Sequence, residues 1–400
     1  MLETSPLPAS SVPQPVREPP AARGMPAGAG WIIGPRADLL WLVGAPLWGL
    51  LLWLGFAGGY VALAPAWLAW IALTNGSHFF ATYTRTYLVR DEWHRRGGLL
   101  AASLALFLVG PVLLWLESTM GHASPGRSPL PWYFAAVNAW GYWHVVRQHH
   151  GILRLYQRHD AGLSAFDARL ETALLHVTLL APFVWLLSVH PDVREGLALP
   201  PLAEDPLPVR VLRAGLGLAA AAGAGLFVLR QVHRRLRGER LQVQRLVLFG
   251  AVAAYHAWVC MSPQMQQWPL FIVAPLLILP HDLQYHAIVW FYQRNQRQAA
   301  LGRGERPALG VRIASSVPLY AALGVGLGLL LAASGCSVDV ALGCPAVFYD
   351  STPGWLGLTP RGWLFVFFHA FAVHHYFIDQ FIWRPSREVR VAQGLGVGLT

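Results

Sequence analysis

Ten stretches of roughly twenty mostly apolar residues constrain this chain more than any other feature, because each is long enough to cross a bilayer as a helix. They lie near 38–57, 60–84, 98–117, 130–153, 170–190, 209–229, 246–263, 268–293, 313–335 and 362–383. Within hydrocarbon every backbone N–H and C=O needs an internal partner, which a helix provides. The expected fold is therefore all-α, a polytopic integral membrane protein of ten transmembrane helices. Composition agrees: 55% of residues are hydrophobic and only 12% charged, against about 25% charged in soluble domains. The 18 Trp suit the aromatic belts found where membranes meet water. The short Gly55–Tyr60 connection makes the first two helices a tight hairpin.

Charge sets the orientation. All 30 basic residues are Arg. With the N-terminus inside, only Arg127, Arg194, Arg210, Arg213 and Arg361 fall on the outer side. The positive-inside rule then places both termini in the cytoplasm, and the expected location is a bacterial inner (plasma) membrane. Topology accounts for the net charge of +10, and no basic groove with a nucleic-acid module is visible, so nucleic acid is not an expected partner. The first 30 residues hold seven Pro and no apolar run, so they lack the apolar core of a signal peptide. Residues 1–35 are expected to be a disordered cytoplasmic arm, 36–386 the ten-helix membrane domain, and 387–400 a cytoplasmic tail. Cys336 and Cys344 fall in an outer connection, where a disulfide can form; Cys260 is expected only to pack inside its helix.

The chemistry resides in the histidines. There are 16, and three sets repeat one spacing: His144, His149 and His150; His281 and His286; His369, His374 and His375. Each contains His-x4-His. A fourth segment carries His78, with Tyr83 where the second His would fall. All four sets lie on even-numbered helices, so the topology brings these nine imidazoles to a similar depth. Ionisable groups at membrane depth are costly and usually face partners inside a bundle. Imidazole is the commonest metal ligand and suits iron, copper and zinc. Asp282 stands four residues before His286 and Asp379 four after His375, each pair on one helix face. Either carboxylate can orient an imidazole or bind metal directly.

The spacing also limits the site. Residues five apart on an ideal helix differ by about 140° around the axis. Either a helix unwinds locally, for which Pro280 beside His281 offers a place, or one His per set binds metal and the others support it. Tyr83 and Tyr285 are candidate proton donors. Arg147, between His144 and His149, is a candidate anchor for an anionic substrate. His176, His233 and His256 are expected to be packing residues.

The His sets resemble those of the integral-membrane histidine-box di-iron oxygenases, the desaturases and hydroxylases, in motif character on four helices. That resemblance implies eight or nine His holding two iron ions that activate oxygen against a C–H bond. The spacing departs from that family's boxes, since His-x4-His-His is longer than its usual pattern and ten helices exceed its usual number. The sets are also similar, more loosely, to membrane carotene-cleaving dioxygenases, in which fewer His hold one iron. The expected function is a membrane-embedded, His-ligated metalloenzyme: an iron-dependent oxidoreductase or oxygenase, with one or two ions, acting on a lipophilic substrate from the lipid bilayer with an electron donor protein as partner. A haem-binding or electron-transfer protein and a proton-coupled transporter remain alternatives, and zinc would imply a hydrolase.

Overall fold

The computed structural model describes residues 30–119, 129–160, 162–196, 201–333 and 360–396. Cys336 and Cys344 and most of the N-terminal arm lie outside these residues. All regular structure among the described residues is helical. Each of the ten apolar stretches contains helix. Single helices run over Pro129–Arg158, Ala165–Val189, Leu207–Leu236, Val243–Met261, Leu270–Gly302, Val317–Ala333 and Pro360–Ile382. The first three stretches are interrupted. Pro35–Leu42 meets Ala45–Ala57 at a 46° bend, Leu63–Trp70 joins Gly76–Arg85 through a π-helical turn at Ile71–Asn75, and Arg90–Ser103 is followed by Leu106–Thr119. By length and composition, five helices can cross a membrane, or six if the bent pair is one span. That is fewer than the ten spans expected. Several of the remaining segments are short, broken or interspersed with His and Arg, which lowers their apolar length.

Apolar side chains cover much of the outside, as a lipid-facing surface requires. Leu218 is 71% exposed and Leu229 67% on the Leu207–Leu236 helix. The opposite face of that helix packs against Ala165–Val189 through Gly223, whose missing side chain admits Val177 and Thr178. Phe227 stacks on Phe249 of the next helix. An ionic network ties these helices together: Arg245 binds Glu171 at 2.6 Å and Asp160 at 3.0 Å, and Arg230 binds Asp167 at 2.6 Å. Buried charges are tolerated where they are paired in this way.

Three local features set the depth and rotation of the candidate site. Gly76 lies so close to the Val317–Ala333 helix that an added Cβ would stand 2.4 Å from the Gly328 Cα. This close approach fixes the helix that carries His78. The π turn just before it adds one residue to the ring of each hydrogen bond and so resets the register of that helix. The third feature is Pro280. The helix continues through it without the local unwinding that the sequence allowed. Pro280 has no N–H to offer the Leu276 carbonyl one turn back, and the Tyr255 hydroxyl donates to that carbonyl instead, at 2.7 Å. Gly49 leaves room for the Tyr255 ring.

Both ends of the membrane domain continue into described structure. Within the expected arm, the N–H groups of Ile32, Ile33 and Gly34 donate to the Asp38 carboxylate at 2.7–3.2 Å. Tyr156 donates to the same carboxylate at 2.7 Å. In the expected tail, the short helix Val389–Gly394 docks on the Leu270–Gly302 helix, with Val391 and Ala392 buried. There Asn295 donates to the Gly394 carbonyl.

Candidate metal centre

Four helices deliver one imidazole each to a single buried point. His78 comes from Gly76–Arg85, His144 from Pro129–Arg158, His281 from Leu270–Gly302 and His375 from Pro360–Ile382. One ligand nitrogen from each lies within 4.8 Å of all the others. Nε2 of His78 is 3.2 Å from Nε2 of His281, and Nε2 of His144 is 3.1 Å from Nε2 of His375. Two nitrogens bound to one ion at about 2.0–2.1 Å stand roughly 3 Å apart at ordinary coordination angles. The rings close a square of edge-to-face contacts, with neighbouring centroids 4.2–5.0 Å apart. His78, His281 and His375 are 1% exposed or less, and His144 is 7% exposed.

The partners behind the ring determine which nitrogens carry protons. Thr82 donates to Asp379 Oδ1 at 3.1 Å, and Tyr285 donates to the same oxygen at 2.9 Å. The Thr82 hydrogen is thereby used, so its oxygen accepts from His375 Nδ1, 2.5 Å away. His375 therefore carries its proton on Nδ1 and points a lone pair inward from Nε2. On the opposite side Nδ1 of His78 lies 3.2 Å from Asp282 Oδ1. Trp70 holds the other oxygen of that carboxylate at 3.2 Å. His78 Nδ1 and Asp282 Oδ1 lie close together but form no hydrogen bond. A buried ring of four imidazoles with two carboxylates behind it makes a site suited to a cation. In this arrangement Asp282 and Asp379 stand behind the imidazoles rather than beside the inward nitrogens.

The other five His of the repeated sets sit elsewhere. His286 uses both ring nitrogens: Nδ1 is 2.6 Å from the Tyr320 hydroxyl and Nε2 is 3.1 Å from the Thr74 carbonyl. His374 does the same, with Tyr87 2.7 Å from Nε2 and Tyr83 3.3 Å from Nδ1. His149 packs edge-on against His256, and His150 lies beside His176. His369 rests against Phe134 and Tyr133. Tyr83 is stacked on His374 rather than placed at the four-His ring. Tyr285 is at the ring itself, with its centroid 4.7 Å from that of His78.

A cleft of about 530 Å³ opens beside this group and is lined by His144, Tyr285 and Asp379 at its inner end. Arg147 lines it as well, with its guanidinium over the Trp143 ring. Sequence reasoning missed two participants. Thr82 lies four residues after His78 and on the same helix face, a spacing that could have revealed it. Trp70 lies beyond the π turn, where no simple periodicity points to it.

No family model, curated protein or solved structure matches this chain. Fold and site alone define its class: an all-helical protein, with several helices apolar and long enough to cross a membrane, in which four buried His could hold a metal ion.

Proposed function

We propose that His78, His144, His281 and His375 bind one metal ion, and that the protein is a membrane-embedded, iron-dependent oxidoreductase of oxygenase type acting on a lipophilic substrate. The observation that carries this reading is the buried group of four imidazoles, one from each of four helices, with one ligand nitrogen from each within 4.8 Å of the others. Iron is favoured over zinc by coordination number. Four protein ligands complete the tetrahedron of zinc, whereas a six-coordinate iron keeps two open positions. A bound iron would supply oxygen activation at an apolar C–H or C=C bond. The chain itself supplies orientation through the two carboxylates, and a hydrogen-bonded proton carrier in Tyr285 and Asp379, both of which reach the cleft. Haem fits less well, because the four rings already touch edge to face and leave no slot for a macrocycle between them.

The same proposal places ten membrane crossings in a bacterial inner membrane, with both termini cytoplasmic and an electron donor protein on that side. It is supported by the helix found in each apolar stretch and by the one-sided distribution of Arg. Metal content per chain tests the centre, measured by mass spectrometry on protein without a His tag. The expected result is about one iron, lost in His375→Ala and kept in His149→Ala. Stoichiometric zinc would overturn the oxidoreductase reading and leave a closed, structural four-His site. No metal in wild type after attempted reconstitution would overturn it and leave a proton relay as the better account.

A further inference from the structure

We infer that the cleft beside the four-His group binds the acidic headgroup of a long-chain amphiphile, a carboxylate or phosphate, with the tail directed toward His144. The inference deepens the function proposed above and rests on it for the identity of the reacting end.

Five arginines line the cleft: Arg147, Arg154, Arg158, Arg384 and Arg387. Among the described residues none of them makes an ion pair with a carboxylate. Their neighbours behave differently. Arg230, Arg234 and Arg245, a short distance away in the helical bundle, are all paired with Asp or Glu. Arg154 and Arg158 are four apart on one helix face, a spacing at which like charges repel. The Arg154 guanidinium reaches only the Gln157 amide oxygen, and Nη1 of Arg158 is buried without a hydrogen-bond partner. An anion would relieve the repulsion and fill that vacancy with charge-assisted hydrogen bonds. Topology alone asks only that arginines lie on one side of the bilayer. It does not gather five of them around one concavity.

The rest of the lining suits a hydrocarbon tail. Trp140, Trp143, Ile288 and Trp383 line the cleft, and its volume falls in the range of small-molecule sites. Helix geometry gives the scale. Arg154 and Arg158 lie ten and fourteen residues beyond His144, so they stand about 15 and 21 Å farther along the axis. An extended chain advances about 1.2 Å per bond. A headgroup held at these two arginines therefore places a bond about a dozen or more positions along the tail near the four-His group. A lipophilic acid of ordinary chain length meets that requirement, and a short one does not.

Equilibrium binding of radiolabelled hexadecanoate tests this, using the full chain in phosphatidylcholine nanodiscs with empty nanodiscs as the blank. Saturable binding is expected in wild type. It should be weaker by roughly tenfold or more in the Arg154→Gln, Arg158→Gln, Arg384→Gln triple variant, a loss of one or more charge-assisted contacts. The Arg154→Lys, Arg158→Lys variant should keep most of the binding, and the single Arg158→Gln variant gives a smaller loss if the triple variant fails to fold. Unlabelled hexadecanol and octanoate should compete poorly. Equal binding by wild type and the Gln variants would overturn the proposal, as would competition by hexadecanol equal to that of hexadecanoate. Full displacement by inorganic phosphate, with octanoate as effective as hexadecanoate, would assign the cleft to a small free anion and overturn the lipid assignment. Binding needs no metal, so iron measured in the same samples separates the two ideas. Arginine-dependent binding in a chain that holds no iron would sink the proposed oxidoreductase and leave the headgroup site standing.

Discussion

His375 and His374 are adjacent in sequence and both lie in the interior, yet only one of them joins the four-His ring. The same division runs through every set: His144 joins and His149 does not, His281 joins and His286 does not. For His374 and His286 the difference lies in what the second nitrogen does. His375 has Nδ1 fixed by Thr82 and Asp379, which leaves Nε2 unengaged by any other residue type and pointed at His144. His374 and His286 have both nitrogens occupied by hydroxyls and a carbonyl. An imidazole in an apolar interior needs its polar atoms satisfied. His286 and His374 meet that need with neighbouring protein groups, whereas the four central His meet it largely with one another, an arrangement a cation would complete.

Substitutions on the two sides of this division should have opposite signatures. The largest effect is expected from His281→Ala or His144→Ala, which should abolish stoichiometric metal binding in purified protein. A full complement of metal in either variant would break the comparison. Next is the support behind the ring. Asp379→Asn and Asp282→Asn should each weaken metal binding by roughly 10–100-fold, the usual cost of losing an outer partner, as read from chelator competition. If either carboxylate is instead a direct ligand, its loss should be as severe as that of His281. On the other side, His286→Ala and His374→Ala should keep the metal and lower stability by about 1–3 kcal/mol, because buried hydroxyl or carbonyl partners are left unsatisfied. Thermal unfolding with metal analysis of the same sample would show this. The smallest effect is expected for His150→Phe, which exchanges one ring for another beside His176 and should stay within about 1 kcal/mol of wild type, with metal retained.

Gly76 offers a way to sharpen the comparison without touching an imidazole. A Cβ there would strike the backbone of Gly328, so Gly76→Ala should displace the helix that carries His78. Overpacking of this kind costs about 1–3 kcal/mol. It should weaken the metal more than it disturbs His374, whose hydroxyl partners Tyr83 and Tyr87 lie farther along the same helix and in the turn after it. Metal loss that tracks only global unfolding would show instead that the close approach does not position His78.

Much of this architecture was legible before the coordinates. A run of about twenty apolar residues has few folding options in hydrocarbon, and helix is found in every such stretch. The four His that could hold a metal ion were all among the nine singled out, because repeated spacing is a property of the chain. One His from each set lies in the four-His group, and the Leu276 carbonyl left free by Pro280 accepts from the Tyr255 hydroxyl. The interruptions were not legible. The π turn at Ile71–Asn75 and the docking of Val389–Gly394 depend on contacts with residues far away in the chain. So does the order of Ile32 to Gly34, which needs the Asp38 carboxylate and the Tyr156 beside it.

The sequence by itself determined that this chain is helical, apolar and rich in interior imidazoles, because periodicity and transfer free energy act locally. Which imidazoles face one another was decided only by tertiary structure. Rotation of each helix about its own axis is set by its neighbours: Gly328 against Gly76, Tyr255 under Pro280, Tyr376 against Gly141 on the helix of His144. The same holds for the cleft. Its arginines are visible along the sequence, but their isolation from every described carboxylate is a fact of packing. An ion pair forms or fails across a few ångströms that no spacing along one chain specifies.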